Sequence, residues 1–224
     1  MQIDISIPEN LNEITVEQYQ KYNKLISNNE ASEFVNQKTI EIFCNIDLKD
    51  VANISFKSTR EILAHLNEVF NVKHSLIPTF KINGIEFGFE PNLEEIKSGV
   101  YIDAETYLGS IDTLHKAMAV LYRPIKKRTK DLYTIEDYNS AKDFENIMLK
   151  APINVALGMQ VFFCNLAIEL ANATSLYLQQ GKIITQEQKQ ILAENGVGIN
   201  QFTELLKEMS YDLMKSLNYQ FINY

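Results

Sequence analysis

Hydrophobic and polar positions alternate along this chain in two rhythms, and the helical one dominates. Ile3, Ile5 and Ile7 alternate before Pro8, a period-two pattern that predicts a short N-terminal strand with one buried face. Thr15-Val16-Glu17-Gln18 is a capping-box pattern, so a helix is expected from there through Ile26, broken by Asn28-Asn29-Glu30. A second helix is expected from about Ser32 to Asn45, with Val35, Ile42, Phe43 and Ile46 on its apolar face. Ser58-Thr59-Arg60-Glu61 repeats the capping pattern ahead of Ile62, Leu63, Leu66, Val69 and Phe70, a stripe at helical spacing.

The clearest strand signal follows. Leu76 to Ile82 and Ile85 to Phe89 flank Asn83-Gly84, a pair that supplies the positive φ angles of a type I′ turn. A lone hairpin is marginal in water, so it must lie on helices, with the N-terminal strand as a candidate neighbour. From Asn92 the pattern is helical again. Ile111, Leu114, Met118, Leu121, Tyr122 and Ile125 follow its spacing, with a break expected at Arg123-Pro124 and a polar connection from Lys126 to Ser140. Pro152 opens a long helix, apolar nearly all round, that predicts a central position in the fold. Gly181 suits its C-terminal turn. Thr185-Gln186-Glu187-Gln188 caps a shorter helix ending near Gly196, and Asn200 caps a last one carrying Phe202, Leu205, Leu206, Met209, Leu213 and Leu217.

The expected fold is therefore mainly α (α+β). It is one domain over residues 1–224, built around a central apolar helix at about 152–180, with a small antiparallel hairpin at about 76–90. At 224 residues and 46% hydrophobic content, such a domain needs neither disulfides nor metal. Cys44 and Cys164 are too far apart for a zinc or disulfide framework and read as buried thiols. Residues 1–6 show no basic region followed by an apolar one, so no signal peptide is expected. Ala151 to Leu178 is long enough to span a bilayer, but Asn154, Gln160, Asn165, Glu169 and Asn172 interrupt it; a buried core helix is the expectation.

Charge and motifs narrow the function classes. Lys plus Arg is 21 against 29 Asp plus Glu, a net charge of −8, which argues against general nucleic-acid or membrane-surface affinity. No phosphate loop, nucleophile elbow or histidine metal motif occurs, and His65, His74 and His115 are dispersed. The expectation is a protein without catalytic residues, cofactor or metal. Two features stand out as candidate partner contacts. Arg123, Lys126, Lys127, Arg128 and Lys130 put five cations in eight residues, either a docking patch for an acidic surface or packaged DNA, or a solvated loop. The tail holding Tyr219, Phe221 and Tyr224 is aromatic, either a contact or a segment folded on the core.

Three runs carry a resemblance. They are Phe89-Glu90-Pro91-Asn92-Leu93-Glu94-Glu95-Ile96-Lys97-Ser98-Gly99-Val100-Tyr101-Ile102-Asp103, then Leu114 to Ile125 (LHKAMAVLYRPI), then Pro152 to Phe163 (PINVALGMQVFF). In this order, over about residues 80–170, they resemble a family of small tailed-bacteriophage proteins, notably of the crAss-like phages. The resemblance implies a virion-associated or assembly protein, made in the bacterial host cytoplasm and located in the virion. Its partners would be other virion proteins (portal, tail or capsid), with a homo-oligomer as a further option. The first expectation is a non-enzymatic virion protein, such as a cargo protein packaged in head or tail and delivered with the DNA. The alternative is a tail-assembly chaperone absent from the mature particle. An enzyme of host metabolism is the third reading and has no supporting motif.

Overall fold

The computed structural model describes residues 5–93, 96–130 and 132–179. Helix α1 (Val16–Asn28) opens on the expected capping box. The Thr15 hydroxyl accepts the Gln18 backbone N–H at 3.2 Å, and the Gln18 side-chain oxygen accepts the Thr15 N–H at 2.9 Å. The amide of Gln18 also donates to the Ile42 carbonyl at 2.8 Å, so the cap doubles as a tie to α2 (Glu33–Cys44). Thr15→Ala is expected to cost about 1 kcal/mol, read as a lower urea midpoint at unchanged slope. A loss under a few tenths would show that the cap is redundant with the α1–α2 packing.

Ser32 caps α2, and Asn45 closes it in the left-handed region at φ 52, which asparagine tolerates. The buried face is Val35, Thr39, Ile40, Phe43 and Cys44; Ile42 and Ile46, expected on it, are half-buried. After the single turn α3 (Leu48–Val51), α4 (Phe56–Phe70) is capped three residues before the expected Ser58. Ser55 is the cap and accepts the Ser58 N–H at 3.1 Å. Two serines three apart both fit a cap in sequence; the extended backbone at Ser55 decides between them. The stripe is as expected, and Ile62, Leu63, Leu66 and Val69 are buried. Tyr19, Tyr22, Phe43 and Phe70 join α1, α2 and α4 through ring centroids 5.1–6.4 Å apart.

Four strands form one antiparallel sheet in the order β1 (Thr79–Ile82), β2 (Ile85–Phe89), β3 (Tyr122–Thr129), β4 (Leu132–Ile135). Asn83 and Gly84, at φ 51 and 78, make the expected turn. The companion of that hairpin is not the described part of the N-terminus, and Ile3 lies outside the described residues. Residues 5–8 lie outside any strand, and Ile5 and Ile7 pack on the core without a ladder. A second hairpin, from the segment expected to be a polar connection, completes the sheet instead. The helix expected from Asn92 begins only at α5 (Ser98–Leu108), and α6 (Leu114–Leu121) runs straight into β3. Pro124 bars Arg123 from helical geometry, so the chain extends from Tyr122. Tyr122 and Pro124 then face the core with Phe87 and Phe89, while Arg123 and Ile125 take the other face. On the core side, Phe80, Phe87, Phe89 and Tyr122 pack ring to ring, and Phe144 and Phe162 approach from beyond the sheet.

The turn α7 (Glu145–Met148) leads to α8 (Ile153–Gln179). Its start is pinned by Ile153 N–H to the Ile14 carbonyl at 2.8 Å and Val16 N–H to the Ala151 carbonyl at 2.9 Å. Ile153, Val155, Ala156, Leu157, Met159, Gln160, Phe163 and Cys164 are buried, whereas Asn165 and Ile168 are exposed. One apolar cluster links the helices and the inner sheet face. Among the described residues no helix is long and apolar enough to cross a membrane. The helices expected near 185–196 and 200–217, and the tail with Tyr219, Phe221 and Tyr224, lie outside the described residues.

Candidate functional site

The five cations do not form a loop. Four of them, from Arg123 to Arg128, lie on β3 and Lys130 sits in the β3–β4 turn at φ 55. This corrects the expectation, because strand pairing divides the cations between two faces and two levels of exposure.

Arg123 is 6% exposed and forms an ion pair with Glu90. The register explains the pair: Arg123 sits opposite Gly88, and Glu90 is two residues farther along the same face. The Glu90 backbone is held by donation to the Leu121 carbonyl at 2.8 Å. Arg123 is thus paired within the sheet through its Nη2, while its Nε is buried without a hydrogen-bond partner. Beyond Ile125 a bulge inserts one extra residue, since Ile125 pairs with Ile135 but Lys127 pairs with Thr134. The extra residue shifts the alternation, so Arg128, not Lys127, shares the face of Tyr133. Arg128 there reaches Glu86 at 2.9 Å and lies over the Tyr133 ring at 5.7 Å. The Tyr133 hydroxyl donates to the Phe89 carbonyl at 2.8 Å, and its ring rests on Gly88, where a Cβ would overlap it.

Lys126 pairs with Asp137 at 3.4 Å and Lys97 pairs with the same carboxylate at 3.1 Å. Hydrogen bonds from Lys97 and Lys126 hold that carboxyl below the usual carboxylate range. Lys127 and Lys130 make no ion pair among the described residues. Lys127, Thr129, Leu132 and Thr134 share the opposite face of the outer hairpin, and all are exposed, Leu132 at 77%. The outer part of the β3–β4 hairpin thus presents cations and one apolar side chain to solvent, while its base is locked to β2.

Two of the three histidines are hydrogen-bonded into the fold, and the Nε2 of His74 is buried without a partner. His65 donates through Nε2 to the Pro8 carbonyl at 2.9 Å. Gln20 donates to His115 Nδ1 at 3.0 Å and also to the Ile111 carbonyl at 2.7 Å. His65 and His74 line a surface cavity of about 390 Å³ with Glu9, Glu68 and Lys73. Among the described residues no three His, Cys, Asp or Glu side chains are placed to hold a metal. Desolvation lowers the pKa of His74 and of His115, which favours neutral imidazoles. Burial pushes the Cys44 thiol up to about 11 and raises Cys164 as well, so both are poor nucleophiles near neutrality. Asp103 accepts a hydrogen bond from the Tyr138 hydroxyl, which ties the segment after β4 to α5.

Glu86, Glu90, Tyr133 and Asp137 are the residues that sequence reading missed. The signal of the two glutamates was present as alternation: Glu86, Gly88 and Glu90 are spaced two apart, on the sheet face that Arg123 and Arg128 share. It becomes visible only once Tyr122–Thr129 is known to be a strand. Compared with known proteins, the chain matches no family model, no curated protein and no solved structure.

Proposed function

We propose that this chain is a non-enzymatic protein of a tailed phage, carried in the virion, where it docks onto an acidic surface of another virion protein of the portal, tail or capsid. Cargo packaged in the head or tail and delivered with the DNA is the form of this role we favour. The phage part rests on the three runs between residues 80 and 170. The docking part is carried by one observation: Lys127 and Leu132 stand exposed together on one face of the β3–β4 hairpin, while Arg123, Lys126 and Arg128 are already paired. An apolar side chain on the same face as an unpaired cation suits a partner with an apolar pocket and an acidic rim. The same reading takes the helix at about 152–180 as the axis of the fold, on the strength of the buried run from Ile153 to Cys164.

Mass spectrometry of purified particles tests the location. Recovery at a stoichiometric level is the expected result. Absence from particles, with a tail protein co-purifying from lysate, would replace this reading with that of an assembly chaperone. The contact itself is tested by Lys127→Glu combined with Leu132→Ser. Binding to the partner identified in the particle should weaken about tenfold or more, as for loss of an apolar anchor and a facing charge. The circular dichroism spectrum should stay unchanged, because both side chains are exposed. Unchanged affinity would return the hairpin to the status of a solvated surface.

A further inference from the structure

Residues 71–78 connect α4 to β1 and cross α8 on the way. The Ser75 carbonyl lies over Gly158, where a Cβ would overlap it, and Leu76 Cα approaches the same position. The far end of the crossing is tied to the sheet. The Ile77 carbonyl accepts the Tyr122 hydroxyl at 2.8 Å, and the Pro78 carbonyl accepts the Phe89 N–H at 2.8 Å. The near end is tied to α4, where Asn71 N–H donates to the Asn67 carbonyl at 3.0 Å. Between these ties, residues 72–76 make no hydrogen bond among the described residues. Packing alone holds them: Leu76 is half-buried against the core, and Ser75 rests on the glycine.

His74 stands in the middle of this crossing. Its Nε2 is buried and has no hydrogen-bond partner. Asn154 lies one turn before Gly158 on the same face of α8. Its Nδ2 donates to Asn12 at 2.7 Å, but its Oδ1 is also buried without a partner. Both residues line the cavity of about 390 Å³ beside the crossing. The titratable groups that share this cavity with His74 are Glu9 from the N-terminal segment, His65 and Glu68 from α4, and Lys73 from the crossing itself; α8 adds the neutral Asn154. Glu9, Glu68 and Lys73 are exposed, so solvent screens their charges. Desolvation of the ring prevails and favours its neutral form. A proton on the seated ring would place a charge partly out of water, with an N–H at Nε2 that has no acceptor.

We propose that residues 72–76 form a strap that lifts from α8 when His74 takes up a proton. Lifting brings the ring into water and breaks no hydrogen bond of the strap. It uncovers the face of α8 that carries Asn154 and Gly158. Once lifted, His74 titrates near the ordinary value of about 6.5. Seated, its pKa lies lower, because of burial. The seated form therefore has its full advantage above about pH 6.5 and loses it as the pH falls from there toward the seated value. Within that window the ratio of lifted to seated molecules rises by up to about tenfold per pH unit. The motion does not depend on the virion reading, which uses the outer face of the β3–β4 hairpin.

Methyl relaxation-dispersion NMR of the full chain tests it, since lifting of a short segment falls in the microsecond-to-millisecond range. The methyl groups of Leu76 and Ile77 report the seat, and the His74 ring signals report the proton. Below about pH 6.5, exchange broadening of those methyls should grow by up to about tenfold per pH unit, in step with titration of the ring. His74→Phe puts an apolar ring at the position and should abolish the growth; His74→Gln, smaller and also unable to take up the proton, should do the same. His65→Gln changes the other histidine of the cavity and should leave the growth intact. Methyl signals that stay flat while His74 titrates would overturn the proposal. So would an equal pH response in the folded His74→Phe or His74→Gln protein.

Discussion

Arg123→Met should lower the unfolding free energy by about 3–5 kcal/mol, the usual consequence of stranding one charge of a buried pair. The stranded group is Glu90, whose side chain is only 14% exposed and whose backbone is fixed by its bond to Leu121. That bond keeps its Cβ on the face it shares with Arg123. Two ions removed from water are expensive, and their mutual attraction roughly offsets that penalty. The pair is therefore expected to matter far more when broken than when replaced. Arg123→Met combined with Glu90→Leu should regain most of the loss and fall within about 1–2 kcal/mol of the original chain. Urea denaturation of the two single variants and the double variant reads this as a cycle. A loss below about 1 kcal/mol for Arg123→Met would show that Glu90 reaches water, and would return Arg123 to the surface cations.

Gly158→Ala is expected to be the second large effect, and its sign is the informative part. In the interior of an exposed helix, alanine in place of glycine gains about 1 kcal/mol. Gly158 lies within α8 with the Ser75 backbone against it. A Cβ would overlap the Ser75 carbonyl oxygen, stand 2.9 Å from its carbon and 3.5 Å from Leu76 Cα. These are main-chain atoms, so no side-chain rotation relieves the clash; residues 75–76 must move off the helix. Overpacking of this kind costs about 1–3 kcal/mol, and a rigid main-chain obstacle belongs at the upper end. At roughly 2–4 °C per kcal/mol for a chain of this size, Tm should fall by about 6–12 °C. Gly99→Ala provides the contrast. Gly99 lies in α5 with nothing near the added methyl, so stability should hold or rise. A Gly158→Ala protein as stable as the Gly99→Ala protein would mean that α8 and residues 75–76 are not in contact.

The two positions show why part of the structure was legible and part was not. Helix starts were readable wherever the cap is local. Thr15 and Gln18 satisfy each other within four residues, and Asn83-Gly84 needs no distant partner to make its turn. The start of α4 was misplaced because Ser55 and Ser58 are equivalent in a local pattern. The second hairpin was missed for a related reason. Met118, Tyr122 and Ile125 are spaced by four and three, which is helical, yet Tyr122 and Pro124 are also spaced by two. Pro124 decides for the strand, and only the ladder with β2 shows which partners it gains. The N-terminal isoleucines failed in the opposite sense, since their alternation is real but among the described residues no strand lies beside residues 5–7 to use it.

The candidate site divides along the same line. That Arg123, Lys126, Lys127, Arg128 and Lys130 concentrate positive charge in an acidic chain follows from composition and order alone. Which of them reaches a partner does not. One extra residue at the bulge puts Arg128 beside Tyr133 and Glu86, pairing across β2 buries Arg123 on Glu90, and Asp137 takes Lys126. Sequence by itself determined the mainly helical class, the local caps, the Asn83-Gly84 hairpin and the stripes that become the core, because each depends on contacts within a few residues. Tertiary structure alone decided the second hairpin, the sheet order, the close approach at Gly158 and the division of the cations into paired and unpaired. Those outcomes depend on groups tens of residues apart, and a side chain's neighbours across a ladder are set by register, which no local pattern records.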